Sequence, residues 1–126
     1  MKKAGCWIVA IGAEAADQNI LRMMGKNLKP QDVLATCKAV REAGLRLKVF
    51  FILGSPGGTE ETIDQTIDFA KKLKADYPVF SLMTPFPGTR LWKDAEKYGH
   101  FRRGEFEKLI ISTSDPLFVP HGMTKE

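Results

Sequence analysis

Several common devices are missing from this chain of 126 residues, and each absence narrows its function. It has only two cysteines, Cys6 and Cys37. Two thiols with 30 residues between them form neither a disulfide framework nor a metal-binding cluster, and a reducing cytoplasm is the compartment they fit. The first residues, Met1 to Cys6, lack the apolar core of an export signal. No apolar run approaches the roughly 20 residues of a membrane span. No G-x-x-x-x-G-K loop and no G-x-G-x-x-G loop is present, so the usual polyphosphate and dinucleotide cradles are excluded. His100 and His121 have no partner at ligand spacing and read as surface histidines. No histidine is placed to activate a serine or cysteine nucleophile. The net charge of +4 is spread out. The pairs Lys71-Lys72 and Arg102-Arg103 read as solvated faces, not as a nucleic-acid surface.

What the chain does have is a repeating strand–helix rhythm. Cys6–Ile11 is a short β-branched run that predicts a buried strand ending at Gly12-Ala13-Glu14. A helix follows around Ala16–Met24, broken by Gly25 and Asn27. Pro30 opens a second helix, with Val33, Leu34, Cys37 and Val40 at helical spacing, and Gly44 stops it. Leu45–Leu53 predicts the next strand. Thr59 is placed to cap a helix with Glu60 and Glu61 in its first turn and with Ile63, Ile67, Ala70 and Leu73 as its buried stripe. Val79–Met83 predicts a third strand, followed by the rigid loop Thr84–Thr89 and a short helix near Arg90–Lys97. Beyond Gly99 the pattern fades into a mixed tail with one apolar run, Leu109–Ile111.

The expected fold is therefore α/β, with three parallel β/α units in one domain over residues 1–126. The units occupy about 1–99, and 100–126 form a C-terminal extension. Continuous apolar strands suggest a parallel sheet covered on both faces. Three such strands leave two open edges, which points to part of a larger sheet or barrel. Cys6, Cys37, Trp7, Trp92, Met23 and Met24 read as core or half-buried packing, and Trp7 could also mark a docking surface. Ser55, Thr59 and Thr84 are open to either ligand or capping roles.

In parallel α/β proteins, ligands gather at the carboxyl ends of strands. Here those ends are Gly12–Glu14, Gly54–Gly58 and Thr84–Thr89. Glu14 is the one carboxylate directly at a strand end. The glycine turn after Phe50–Leu53 leads straight into a helix amino end, where free N–H groups collect. Two glutamates beside it disfavour a polyphosphate, so the turn suits a neutral ring or ribose.

Together, Ala4-Gly5-Cys6 leading to Gly12-Ala13-Glu14, then Ile20-Leu21 and Met24-Gly25-Lys26, then Lys48–Thr62 and Pro85–Thr89, resemble the second half of a radical SAM enzyme. The nearest type is the one often preceded by a cobalamin-binding domain. The resemblance implies strands four to six of a partial (β/α)6 TIM-like barrel. It implies S-adenosylmethionine as cofactor, with Glu14 on its ribose or methionine part. Ile52, Leu53 and Gly54 would frame the adenine side, and Leu82, Met83 and Thr84 would offer backbone near the adenine. It also implies a 4Fe–4S cluster held by C-x3-C-x2-C, a motif this chain does not contain. Departures from the family pattern are Ala15 for serine, Val49 for glycine and Gly58 for glutamate. The expectation is a fragment that shapes the cofactor site and is catalytically inactive alone. Its partner would be the preceding half-barrel or a second copy. A non-catalytic, self-associating α/β fragment and a small adenine-nucleotide-binding module are the alternatives.

Overall fold

The computed structural model describes residues 1–105 and 115–124. After a single 3-10 turn at Lys2–Ala4, the chain forms strand β1 (Ile8–Glu14), helix α1 (Gln18–Met23), helix α2 (Pro30–Glu42), strand β2 (Arg46–Leu53), helix α3 (Glu60–Leu73), strand β3 (Tyr77–Leu82) and helix α4 (Arg90–Asp94). A 3-10 turn at Ala95–Lys97 and two short strands, β4 (Gly99–Phe101) and β5 (Phe118–Pro120), complete it. The three main strands form one parallel sheet in the order β1-β2-β3. The expected α/β class and parallel sheet are both present. A parallel sheet joined through helices in chain order is consistent with part of a β/α barrel.

Local chemistry explains the helix ends. The Asp17 carboxylate accepts from the backbone N–H groups of Asn19 and Ile20, at 2.8 and 2.9 Å, and so starts α1. Thr59 and Thr62 form a reciprocal capping box at the start of α3. Such a cap stabilises a helix by about 1 kcal/mol. Pro30 enters α2 in its first turn, where a missing N–H costs nothing. The end of α3 is satisfied from outside: the Arg41 guanidinium of α2 donates to the Leu73 carbonyl. The following loop returns Asp76, whose carboxylate accepts from the Leu47 N–H at 2.8 Å.

The core lies on one face of the sheet. Leu47, Val49 and Phe51 alternate along β2 and are buried under α2 and α3, with Val33, Cys37, Ala70 and Leu73. Phe51 stacks on Phe80 of β3 with ring centroids 5.0 Å apart. Burying each such side chain contributes about 1.5–3 kcal/mol. The predicted α3 stripe gains a polar member, because Thr66 is 2% exposed.

Among the described residues, the expectation that helices cover both sheet faces is not met. The opposite face carries Ala10, Gly12, Lys48, Phe50, Val79 and Ser81, placed together by the register and by strand alternation. Ala10, Gly12 and Phe50 on it are exposed. Continuous apolar strands cannot report which face is covered, since alternation is what carries that information.

Other expectations shift as well. β1 continues through Gly12 to Glu14, and β3 begins at Tyr77 instead of Val79. Trp7 is 66% exposed and Met23 49%, so neither is a core residue. Cys37 and Trp92 do pack as expected, one buried and one half-buried, while Cys6 is half-buried. The tail contains an antiparallel β4–β5 pair that periodicity did not suggest. Three residues per strand are too few to show alternation. The Leu109–Ile111 run lies outside the described residues. Among the described residues, no helix is long and apolar enough to cross a membrane.

Candidate functional site

Glu14 reaches the site through an irregularity in β1. Gly12 pairs with Phe50 and Glu14 with Phe51, so β1 spends one residue more than β2 at this point. The extra residue closes a tight turn in which the Ala15 N–H bonds the Ala13 carbonyl at 2.8 Å. Glu14 sits at its centre with φ 64. A residue other than glycine is strained in that left-handed region, and such strain clusters at functional sites. A bulge re-aims a side chain. Here it brings the carboxylate back over the open face, so close to Gly12 that a Cβ there would lie 2.9 Å from Glu14 Oε1. The same oxygen pairs with Lys26 Nζ at 2.9 Å, and the Glu14 side chain is only 13% exposed.

A cavity of about 560 Å³ opens at this end of the sheet. Glu14 and Lys26 form one wall, Phe50 and Ile52 the floor, and Leu82, Met83 and Thr84 the far side. Its size and mixed lining are those of a small-molecule site. Of the residues singled out from sequence, the fold brings Glu14, Ile52, Leu82, Met83 and Thr84 to this one cavity. Leu53 and Gly54 do not line it. They border a crevice of about 10 Å³ on the α3 side, which Ile52 also touches. The position of a Gly54 Cβ would lie 3.9 Å from Pro120 of β5, so the terminal strand pair covers that side.

The glycines of the second strand end mostly serve the turn itself. A Cβ on Gly58 would lie 2.7 Å from the Ser55 carbonyl oxygen, which accepts the Gly58 N–H. Ser55 is buried, and its hydroxyl donates to Met24 Sδ at 3.6 Å. Thr59 caps α3, and Thr84 donates to the Leu82 carbonyl at 3.3 Å while still lining the cavity. Sequence reasoning missed Lys26, Phe50 and Ser81. The period-2 pattern places Phe50 beside Ile52, and parallel pairing sets Ser81 opposite it. Nothing local marks Lys26, because its partner is reached only through the return of the chain after α1.

The thiols stand apart from this cavity. Cys6 donates to the Ile8 carbonyl at 3.4 Å, and Cys37 is buried beneath the sheet. No trio of potential metal ligands occurs among the described residues.

Comparison with known proteins bears on this geometry. The sequence model of the radical SAM superfamily matches residues 1–70. The chain belongs to the radical SAM superfamily. Its relatives include an uncharacterised methyltransferase of Pyrococcus horikoshii, 44% identical over 75% of this chain and 21% of the relative. The bacteriochlorophyllide d C-12(1)-methyltransferase of Chlorobaculum tepidum is 31% identical over 79% of the chain and 22% of its own length. The anaerobic magnesium-protoporphyrin IX monomethyl ester cyclase of Rubrivivax gelatinosus is 28% identical over 98% and 22%. The chain thus spans about a fifth of the length of the relatives it matches.

Proposed function

We propose that this chain supplies one wall of the S-adenosylmethionine site of a radical SAM enzyme and is catalytically inactive alone. The observation that carries the reading is that β1, β2 and β3 all contribute to one cavity, through Glu14, through Phe50 and Ile52, and through Leu82 with the following Met83 and Thr84, with Glu14 held in a strained turn at its edge. The lining fits such a cofactor. Phe50, Ile52, Leu82 and Met83 offer an apolar surface for a purine, Thr84 and Ser81 offer hydroxyls, and Glu14 offers negative charge for ribose hydroxyls or a cationic group. S-adenosylmethionine bound there would supply a sulfonium whose C–S bond can be cleaved reductively. The chain's own part is to bind and orient the nucleoside and to shield it from water.

The 4Fe–4S cluster of the family does not fit this chain. A cluster takes three thiolates at short spacing, and the chain has two cysteines, Cys6 ahead of β1 and Cys37 in α2, with 30 residues between them. No step is therefore assigned to it here. The ligands would come from another segment of a longer polypeptide or from a partner. Cobalamin in a flanking domain would extend the chemistry to methyl transfer, in line with the methyltransferase names of relatives. A cytoplasmic location suits the two free thiols.

Titration calorimetry tests the reading. S-adenosylmethionine and 5′-methylthioadenosine should bind saturably. Glu14→Ala should weaken the former by about tenfold, the scale of one lost charge-assisted hydrogen bond. Absence of saturable binding by both ligands overturns the reading. Anaerobic reconstitution with iron and sulfide should leave no stoichiometric cluster on the isolated chain.

The uncovered sheet face supports a second reading, in which the chain completes its sheet by pairing with a second copy or with preceding strands. Trp7 and Phe50 are exposed, and neither β1 nor β3 has a strand on its outer edge among the described residues.

A further inference from the structure

A second cavity, of about 390 Å³, opens beside the first, between α1 and α4. The two share Met83 and Leu91 in their walls. Its apolar lining is rich in methionine: Met23, Met24 and Met83. Unbranched thioethers adapt to irregular apolar shapes. Gly57 leaves room for the Met23 side chain. Gly57 has φ 74, and a Cβ there would lie 2.8 Å from Met23 Sδ, so a larger residue would displace it. Met23 still leaves 49% of its surface exposed, apolar area that a ligand would cover.

The cavity is also charged. Arg22 and Arg90 line this cavity with a single carboxylate, Asp94. That carboxylate is already engaged by Lys97 at 2.6 Å, with Arg90 Nε at 3.8 Å. Arg22 has no ion-pair partner among the described residues. An uncompensated guanidinium over an apolar floor is complementary to an apolar molecule carrying an anionic group. Its planar fork favours a carboxylate.

We propose that this cavity is the subsite for an apolar ligand bearing a carboxylate, with Arg22 as its anchor and the methionines as its floor. Its role as the substrate side rests on the reading of the neighbouring cavity as the nucleoside side, since Met83 and Leu91 would then separate the two ligands.

The test is binding of 1-naphthoate and of neutral 1-naphthalenemethanol to the 126-residue chain. The acid should bind about threefold tighter at low salt, an advantage that falls as salt screens the exposed arginine. Arg22→Gln should erase that advantage and Arg22→Lys retain part of it. Met23→Ser should weaken both probes alike. Saturating 5′-methylthioadenosine should not displace naphthoate. Circular dichroism verifies that each variant folds. Equal affinity for acid and alcohol, an Arg22→Gln variant with unchanged acid affinity, no saturable naphthoate binding, or displacement by 5′-methylthioadenosine each overturns the proposal. If naphthoate behaves as expected but no nucleoside binds, the anion subsite stands and the reading of the first cavity fails.

Discussion

Gly12 and Glu14 act on each other through space as well as along the chain. The carboxylate occupies the place a Gly12 side chain would take. Gly12→Ala should therefore push Glu14 off its position while leaving the core, on the other face, intact. Calorimetry should show weaker S-adenosylmethionine binding, approaching that of Glu14→Ala, with an unfolding midpoint close to wild type. A loss of stability without a loss of binding would contradict the coupling. Cys37 supplies a pH-dependent counterpart. Burial pushes its thiol up, with partial opposition from the Arg41 charge. The folded-state value lies above the unfolded one, so the contribution is complete below the ordinary thiol range. It is lost as pH rises through the raised value. Urea midpoints should fall on the alkaline side, and Cys37→Ala should flatten that fall. Alkylating reagents should modify half-buried Cys6 well before Cys37.

Among the elements, α3 does more than cover the sheet. Thr66 faces the turn after β1, where its hydroxyl accepts from the Ala16 N–H at 3.2 Å and donates to the Thr62 carbonyl at 2.8 Å. The loop carrying Glu14 is thus tied to the helix that follows the second strand end. Thr66→Val keeps the shape but leaves the Ala16 N–H unpaired, at an expected loss of about 1–3 kcal/mol. Chemical denaturation would measure it, and an unchanged midpoint would show that water replaces the hydroxyl. The terminal pair β4–β5 depends on Gly99, whose Cβ would fall 2.2 Å from the Val119 carbonyl oxygen. Gly99→Ala should separate these strands and expose Gly54, seen as faster amide exchange at Gly54 and at β5. Neither link was legible in the sequence. Thr66 looks like any helix threonine, and a Gly99 contact with residue 119 belongs to no local pattern.

At the scale of the whole molecule, the face and the two sheet edges left open by the described residues set the expected behaviour in solution. Light scattering on a size-exclusion column should report a dimer, and Trp7→Ser should shift it toward monomer if that exposed ring lies in the contact. A monomer at all concentrations would leave completion of the sheet to other chain segments. The sequence by itself determined the strand–helix order, the parallel sheet and the strand ends that carry polar atoms. Each of these follows from local periodicity, from turn residues and from the length of crossover a parallel pair needs. It also excluded a cluster, because three thiolates cannot come from two cysteines. Only the tertiary structure decided which sheet face is covered, because continuous apolar strands do not say which side the helices take. It alone paired Lys26 with Glu14, set Leu53 and Gly54 apart from the larger cavity, and gathered Arg22 and three methionines around a second one. Those outcomes depend on how the chain returns after each strand and on a backbone irregularity at Glu14, neither of which any local stretch of residues encodes. The strand end at Glu14 was thus visible in the sequence, but the direction of its carboxylate was not.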